Sequence, residues 1–586
     1  MRAAPVAQGI EQDGPNVKVG GSIPSGGTFT KQTRRIGVIK LLDDLACRAL
    51  LYSPGRVSYH FGGSWELQRR IARSAVLAAG FAILWSAFAS PALASNGQER
   101  GARHRPAPIA NRAGVAQSTA SSSLVAPEAT VDGHGGGLTA NFNGVSSLDS
   151  QVTNFGLTFE PPDQGLCAGN GFVVEMVNSA FRVYNTHGKT LEGPTNVNAP
   201  FHENFAAFTS DPRCHFDPAT NTWFASVLFI NDPGTASTED IAYNTSGDPT
   251  TDWSVFRIDT TDAGAPASSG CPCFGDQPRL GIDASNIYIT TDEFSILGTQ
   301  FDGATIYAVS KSDLVNHRSK VHFVTYPNLS IDGNLALSVQ PALTFGPAQA
   351  EYFLSQLDPN GTGDSRIGVW ALTDADSVSQ GGKPRLSSVV INSEPYAPPP
   401  QADQKGSTIQ IDSGDDRMQQ TQFINGEIWG ELDTAIVPAG DSVQRAGAAW
   451  FRVQPELSGN KLKGATMTGQ GYIAVSGKDV LYPAAQADGQ GHAAVVFTLV
   501  GPNMFPSAAY ATLKDDESGF GRPVVVATGS GPYNASPKRW GDYSWAVLDP
   551  NSDSVWMATE YMPPKSSQTT NGRRPWGTRV LNVELE

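Results

Sequence analysis

Aspartate and arginine recur together in three similar segments of this 586-residue sequence. The segments are SDPRCHFDPATNTWFAS (210–226), FGDQPRLGIDASNIYITTDEF (274–294) and RWGDYSWAVLDPNSDSVWMATEY (539–561). Carboxylates and guanidinium groups can bind charged ligands, and carboxylates can transfer protons. The same residue types also hold turns together. The recurrence therefore raises two hypotheses, a chemical one and a structural one.

Four aspartates stand just before apolar runs, namely Asp163, Asp211, Asp276 and Asp542. At the start of a strand, a carboxylate can accept hydrogen bonds from the backbone N–H groups of a turn, and we favour this structural interpretation. If the strand starts converge, the same four residues are candidate metal ligands, because Ca²⁺ prefers several oxygen ligands. No cofactor is certain from the sequence, and the spacing selects no metal.

Arg213, Arg279 and Arg539 lie beside these aspartates and are candidate catalytic groups. We expect each arginine to pair with an aspartate of its own or a neighbouring repeat, since such pairs are often architectural. His215 could act as an acid or base, although a histidine that lies at the surface or has its hydrogen bonds satisfied is the favoured interpretation. The histidines show no metal-binding spacing such as His-Glu-x-x-His.

Four cysteines follow the predicted signal peptide, at Cys167, Cys214, Cys271 and Cys273. An even number of cysteines in an exported chain predicts disulfides, and four cysteines allow three pairings. Pairing between neighbouring repeats would join their strands. A four-thiolate zinc site is the alternative, but the paired Cys-x-x-Cys spacing that it favours is missing.

The composition indicates a β-rich, turn-rich protein. The sequence contains 61 Gly and 40 Pro, which punctuate turns and disfavour helix interiors, and only 17% charged residues. The formal net charge is −15. Such an acidic surface repels phosphate backbones and argues against nucleic-acid binding.

The N-terminal region predicts export. Residues 65–94 have an Arg-rich start, an apolar stretch and the small-residue site Ala92-Leu93-Ala94, which together are typical of a secretory signal peptide. Residues 1–64 are interpreted as a mis-called N-terminal extension, and the Ala/Ser/Gly-rich residues 95–140 as a flexible linker. We expect a secreted, periplasmic or cell-surface protein without a stable membrane span after cleavage.

Residues 141–586 predict an all-β domain. Seven apolar runs bounded by turn residues fit strands: GFVVEMVN (171–178), TWFASVLFI (222–230), NIYITTDEF (286–294), AEYFLSQL (350–357), GEIWGEL (426–432), HAAVVFTLV (492–500) and SVWMATEY (554–561). Their spacing predicts a β-propeller of about seven four-stranded blades, and six or eight blades are compatible with the same pattern. The terminal strand (578–585) is expected to close the ring by pairing with residues 150–160.

Several segments resemble exported, largely uncharacterised bacterial β-propellers allied to the sialidase-like superfamily. The resemblance rests on PPDQGLCAGNGFVVEMVNSAFRVYN, SDPRCHFDPATNTWFAS, CPCFGDQPRLGIDASNIYITTDEF and RWGDYSWAVLDP, and extends over about residues 155–585. It implies a fold and a compartment. The sequence departs from sialidases, because it lacks a Phe/Tyr-Arg-Ile-Pro segment and has only one degenerate Asp box, SGDPTTDW (246–253).

The sequence leaves two functions open. We favour a binding or scaffold module with a glycan or protein ligand, acting as a monomer. The alternative is a polysaccharide-active enzyme, a glycosidase or lyase, with its site at the mouth of the propeller channel. Close carboxylates with shifted pKa values in an axial pocket would favour the enzyme, and exposed aromatic side chains on a shallow face would favour binding.

Overall fold

The computed structural model describes residues 137–231, 234–261, 271–298, 300–514, 519–535 and 539–585, with the backbone of residues 125–126. The predicted N-terminal extension and signal peptide lie outside these residues, as does most of the predicted linker. The described residues belong to one compact unit. Among them, no helix has the length and hydropathy that crossing a membrane requires.

Strands dominate the first half of the described chain. It begins with β1 (Val125–Ala126), β2 (Leu138–Ser146) and α1 (Ser147–Thr153). Blade 1 contains β3 (Gly165–Gly169), β4 (Phe172–Val177), β5 (Ala180–Asn185) and β6 (Thr190–Asn196). Blade 2 contains β7 (Phe208–Asp217), β8 (Thr222–Ile230), β9 (Ser237–Asn244) and β10 (Ser254–Asp259). Blade 3 contains β11 (Cys273–Ile282), β12 (Asn286–Ser295), β13 (Phe301–Ser310) and β14 (Phe323–Tyr326), with α2 (Lys311–Val315) before β14.

The second half repeats the pattern after the short pair β15 (Ser330–Ile331) and β16 (Asn334–Leu335). Blade 4 contains β17 (Gln340–Phe345), β18 (Ala350–Gln356), β19 (Asp364–Thr373) and β20 (Arg385–Tyr396), with a 3₁₀ helix at Ala375–Gln380. Blade 5 contains β21 (Met418–Ile424), β22 (Glu427–Pro438), β23 (Arg445–Leu457) and β24 (Leu462–Ile473). Blade 6 contains β25 (Asp479–Ala487), β26 (Ala493–Gly501), β27 (Met504–Leu513) and β28 (Val524–Ala527). The chain ends with β29 (Trp545–Leu548), β30 (Ser554–Tyr561), a 3₁₀ helix at Lys565–Ser567 and β31 (Gly577–Glu584).

The sheets form a closed ring. The first strand of each blade contacts the first strand of the next, in the order β3, β7, β11, β17, β21, β25 and β29, and β29 contacts β3 again. Three of these inner strands also pair in parallel, β11 with β17 and β17 with β21. The fold is therefore a seven-bladed β-propeller, and the prediction of about seven four-stranded blades is confirmed.

The seven apolar runs of the sequence are the second strands of the seven blades. They correspond to β4, β8, β12, β18, β22, β26 and β30. Each of these strands lies between two others of its own sheet and is covered by neighbouring blades on both faces, so almost all of its residues are buried. A strand buried on both faces has a nearly continuous apolar sequence, which is why these strands were the easiest to predict.

The ring closes through the N-terminal strand. Strand β2 pairs antiparallel with β31 and completes blade 7 outside β29 and β30. The terminal strand was correctly expected to close the ring, but its predicted partner, residues 150–160, is wrong. Those residues include most of α1, because Ser146 and Asp149 form a reciprocal capping box that starts a helix there.

The repeated Asp/Arg motif contains a β-bulge. Asp211, Gln277 and Tyr482 have positive φ values of 59°, 49° and 51°, and each is followed by proline. The pairing register of β7, β11 and β25 shifts at these three positions. Proline cannot donate a hydrogen bond to the sheet, and a bulge is a position where none is required. The repetition of the motif therefore has a structural cause.

Side chains in or just after the second strands bind backbone N–H groups where the next blade begins. The Asp211 N–H donates to Asn178 Oδ1 at 2.7 Å. The Ser338 N–H donates to Asp292 Oδ1 at 3.0 Å, and the Tyr482 N–H donates to Asp433 Oδ1 at 2.8 Å. All three donors have positive φ values, and each acceptor belongs to the preceding blade. The structural role expected of the first-strand aspartates is thus performed by Asn178, Asp292 and Asp433.

The hydrophobic core lies between adjacent blades. In one cluster Phe181 of blade 1 packs with Trp223 of blade 2, and in another Val496 of blade 6 packs with Met557 of the last blade. Nine tryptophans of the described residues are buried, among them Trp223, Trp429, Trp450, Trp556 and Trp576. Because each blade is covered only by its neighbours, closure of the ring completes the core.

Candidate functional site

A cavity lies where the inner strands begin, and we call it the axial cavity. Asp163, Asp211, Asp276 and Asp542 line it, one from each of four blades. Its volume is about 80 Å³, which accommodates several water molecules. The structure therefore brings together all four aspartates that the sequence marked as candidates.

The aspartates of the axial cavity interact mainly with side chains. Asn178 donates to Asp163 Oδ2 at 2.6 Å, and the Ser210 hydroxyl donates to Asp211 Oδ1 at 3.0 Å. Asp163 Oδ1 is buried without a hydrogen-bond partner. Among the described residues, no backbone N–H donates to the carboxylates of Asp163, Asp211 or Asp276. These carboxylates remain directed to the cavity rather than to the backbone.

Burial and nearby carboxylates raise the pKa values of three of these groups, Asp163, Asp211 and Asp276. Burial raises the pKa of Asp163 well above its usual value, and the Asp542 and Asp211 carboxylates raise it further. Burial, followed by Asp542, raises the pKa of Asp211. Burial, followed by Asp211, raises the pKa of Asp276 to about 7. Buried acids of this kind can donate a proton near neutral pH.

Glu160 is a fifth carboxyl group at the cavity, and the sequence did not indicate it. The Tyr533 hydroxyl donates to Glu160 Oε2, and Arg574 Nε lies 3.4 Å from Oε1. Burial nevertheless raises the pKa of Glu160 to about 7, because it outweighs these two favourable contacts.

The three predicted arginines occupy different environments. Arg539 lines the cavity, forms an ion pair with Asp542, and its Nε lies 3.7 Å from Asp412 Oδ2. Arg279 pairs with Asp292 at 2.8 Å, and both side chains are 1% exposed.

Arg213 has a different kind of partner. Its guanidinium lies 3.2 Å from the centroid of the Tyr543 ring, and its Nε donates to the Pro278 carbonyl at 3.0 Å. Within the described residues Arg213 forms no ion pair with an aspartate, so the expectation of an Asp–Arg pair at this position is not met. The three arginines therefore do not form one anion-binding group around the cavity.

Arg417 is the second arginine that lines the cavity, and it was not a sequence candidate. It binds Asp415 in a bidentate pair at 2.7 and 2.6 Å and donates to Gln277. Arg417 directly precedes β21, at the opening of blade 5. This position at the start of an inner strand is the sequence signal that could have identified it as a cavity residue. Glu160 had no comparable signal beyond its closeness to Asp163 in the sequence.

His215 lies outside the axial cavity. It is 7% exposed and contacts the Phe345 ring edge-on at 6.2 Å. Burial lowers its pKa to about 4. His215 is thus a neutral, buried histidine, and its Nδ1 has no hydrogen-bond partner among the described residues, so it is not the surface or satisfied histidine that was expected.

The spacing of the axial carboxylates does not match one bound metal ion. Across the described parts of the chain, the group of three potential ligands whose atoms all lie within 4.8 Å of one another is Cys271, Cys273 and Asp302. In the structure the two sulfur atoms of that group form a disulfide. Oxygen ligands of Ca²⁺ lie at about 2.4 Å from the ion, so they must approach one another more closely than the axial aspartates do.

Two disulfides involve all four candidate cysteines. Cys167 of β3 is joined to Cys214 of β7, with their Cα atoms 5.3 Å apart, and Cys271 is joined to Cys273. The first disulfide links the inner strands of blades 1 and 2, as pairing between neighbouring repeats would. The alternative of a four-thiolate zinc site is wrong, because the two pairs are engaged separately.

Comparisons with known proteins find structural likenesses at low sequence identity. No protein-family model matches it, and no curated protein matches its sequence. A mutant NanB sialidase from Streptococcus pneumoniae is 10% identical, with 71% of this chain and 82% of that chain covered and a TM-score of 0.37. The exo-beta-1,3-galactanase 1,3Gal43A from Clostridium thermocellum is 11% identical, with 76% of this chain and 99% of that chain covered and a TM-score of 0.27. Drosophila Plexin A in complex with Semaphorin 1b is 9% identical, with 77% of this chain and 88% of that chain covered and a TM-score of 0.34. Likenesses this remote carry no argument about function, and membership of the sialidase-like superfamily stays a prediction.

Proposed function

We propose that this protein is an exported enzyme that hydrolyses glycosidic bonds of a polysaccharide in the axial cavity. One observation carries the proposal: four blades direct carboxyl groups into one cavity, three of them buried, and the backbone N–H groups of the blade openings are bound by other residues. Convergent buried acids without a structural task are a characteristic of active sites.

The proposed reaction uses two of the carboxyl groups. Asp276 donates its proton to the glycosidic oxygen, and the bond from that oxygen to the anomeric carbon breaks with its electron pair going to the oxygen. Asp542 accepts a proton from water, whose oxygen bonds to the anomeric carbon. Arg539 forms an ion pair with Asp542 and holds this carboxyl group at the cavity. One water molecule is consumed, and neither partner is oxidised or reduced.

A binding protein without catalysis is the second candidate. The observation that favours it is a pair of exposed aromatic side chains beside the cavity, Phe155 at 59% and Phe205 at 49% exposure. Aromatic faces of this kind bind sugar rings. Export itself is supported by the predicted signal peptide and by the two disulfides, which persist in oxidising compartments.

A polysaccharide panel distinguishes the two candidates when retention and release of reducing ends are both measured. We expect wild type to cleave at least one polysaccharide, and Asp276→Asn and Asp542→Asn to retain it but cleave it at least 100-fold more slowly. Glu293→Gln is the matched control, because Glu293 is buried in blade 3, has a pKa raised to about 8 by burial, and lies outside the cavity lining. Retention without cleavage by wild type would favour the binding protein, and unchanged cleavage by Asp276→Asn would refute the proposed site.

A further inference from the structure

A second cavity adjoins the axial cavity and has a different chemical character. We call it the aromatic cleft and define it by Phe155, Leu157, Phe159, Phe205 and Phe208. Phe159, Asn178, Phe208 and Thr209 line both cavities. The two cavities therefore adjoin along these four residues.

The cleft is uncharged, unlike the axial cavity. None of the described residues that line it is acidic or basic. Its amides are already engaged: Asn154 Nδ2 donates to the Ser150 and Ser179 carbonyls, each at 2.8 Å, and Asn198 Nδ2 donates to the Asn204 carbonyl at 2.7 Å. The cleft thus offers apolar surface to an occupant, and it has no group to neutralise a charge.

The local backbone fixes the exposed rings in position. Phe155 follows Asn154, the C-cap of α1, and has a φ of 56°. The Phe205 carbonyl accepts a hydrogen bond from Asn196 Nδ2 at 3.3 Å, and Asn204 Oδ1 accepts one from the Ala206 N–H at 2.9 Å. Backbone that is held in this way has less conformational freedom to lose when a ligand binds to the two exposed rings.

We propose that the aromatic cleft is a subsite for an uncharged sugar ring next to the glycosidic bond held in the axial cavity. The inference rests on the proposed function and adds to it the class of substrate: a chain of at least two sugars, with a neutral pyranose or furanose in the cleft. Stacking on Phe155 and Phe205 supplies the contact, because C–H faces of neutral sugars pack on aromatic rings. An anionic sugar is excluded, since the cleft would desolvate its charge without a partner.

The test measures binding separately from cleavage. The probes are neutral trisaccharides of glucose, galactose, xylose, mannose and arabinose, the corresponding methyl glycosides, and an oligogalacturonide as the anionic probe. Dissociation constants are measured by calorimetry on Asp276→Asn, in which cleavage is suppressed, and repeated after adding Phe155→Ala with Phe205→Ala. Phe323→Ala is the matched control, because Phe323 is 44% exposed on the outer strand of blade 3.

We expect the double substitution to weaken trisaccharide binding about tenfold or more and to leave methyl glycoside binding unchanged, with no effect of Phe323→Ala. Equal trisaccharide affinity in the double variant, absence of binding to every neutral trisaccharide, or preference for the oligogalacturonide would each overturn the inference. Binding that depends on the two rings, without cleavage by wild type, would refute the proposed hydrolase and leave the subsite standing. If wild type cleaves a polysaccharide and Phe155→Ala with Phe205→Ala changes neither binding nor cleavage, the proposed hydrolase stands and the subsite is refuted.

Discussion

Two aspartates of blade 3 should respond to the same substitution with opposite changes in stability. Asp276 lines the axial cavity, where burial and Asp211 raise its pKa from 3.8 to about 7. Asp292 instead accepts a hydrogen bond from Ser338 and pairs with the buried Arg279. We therefore expect Asp276→Asn to stabilise the protein at pH 8 and Asp292→Asn to destabilise it.

The size of each effect follows from the structure. A carboxyl group with a raised pKa contributes stability that is complete below pH ~4 and is lost as the pH rises through about 7. With about 1.4 kcal/mol for each pKa unit, Asp276 destabilises the folded protein by about 4 kcal/mol at pH 8. Asparagine does not titrate and removes that loss. Replacing Asp292 leaves the Arg279 charge buried without its partner, which costs about 3–5 kcal/mol.

Differential scanning calorimetry at pH 5 and pH 8 measures both effects. An unfolding entropy of about 2 cal/mol/K per residue gives about 0.9 kcal/mol/K for a domain of about 450 residues. We expect Asp276→Asn to melt about 4 °C above wild type at pH 8 and about 2 °C above it at pH 5, because pH 5 lies only about one unit above the unfolded pKa. Asp292→Asn should melt about 3–5 °C below wild type at both pH values. If Asp276→Asn also lowers the melting temperature at pH 8, the axial carboxylates are structural and the reasoning is refuted.

Three further predictions concern the ring and its inner strands. Thiol titration of the denatured, unreduced exported protein should find none of the four cysteines free, and four titratable thiols would contradict the pairing. Replacing both Cys167 and Cys214 by alanine should lower the free energy of unfolding, measured by chemical denaturation, by ~2–5 kcal/mol. A chain that begins at Ser147 lacks β2 and exposes the edge of β31, so light scattering should show it to associate and calorimetry should show it to melt lower; stability equal to that of a chain with β2 would disprove closure through that strand. Arg213→Lys removes the planar group stacked on Tyr543 and should cost ~1–2 kcal/mol in urea unfolding, whereas no change would show that the stacking contributes nothing.

The sequence predicted the seven second strands because their signal is local. Each is a run of apolar residues bounded by turn formers, and burial on both faces makes that run nearly continuous. The repeated Asp/Arg segments also marked the openings of blades 2, 3 and 7, and the structure shows bulges at Pro212 and Pro278 in two of them. The outer strands and α1 were less predictable, because one face of each is solvated and polar residues interrupt their apolar residues.

Only the tertiary structure decided which carboxyl groups support the backbone and which face the cavity. Asp276 and Asp292 lie in paired strands of one blade, directly opposite each other in the register, yet Asp292 accepts from Ser338 and Asp276 lines the cavity. Likewise, Arg417 meets Asp276 across 141 positions of sequence, and β2 meets β31 across more than 430. These contacts depend on the bulges and on closure of the ring, which bring together residues whose own sequence neighbours carry no information about their partners. The types of chemical groups were thus set locally, and the site was set by the geometry of the closed propeller.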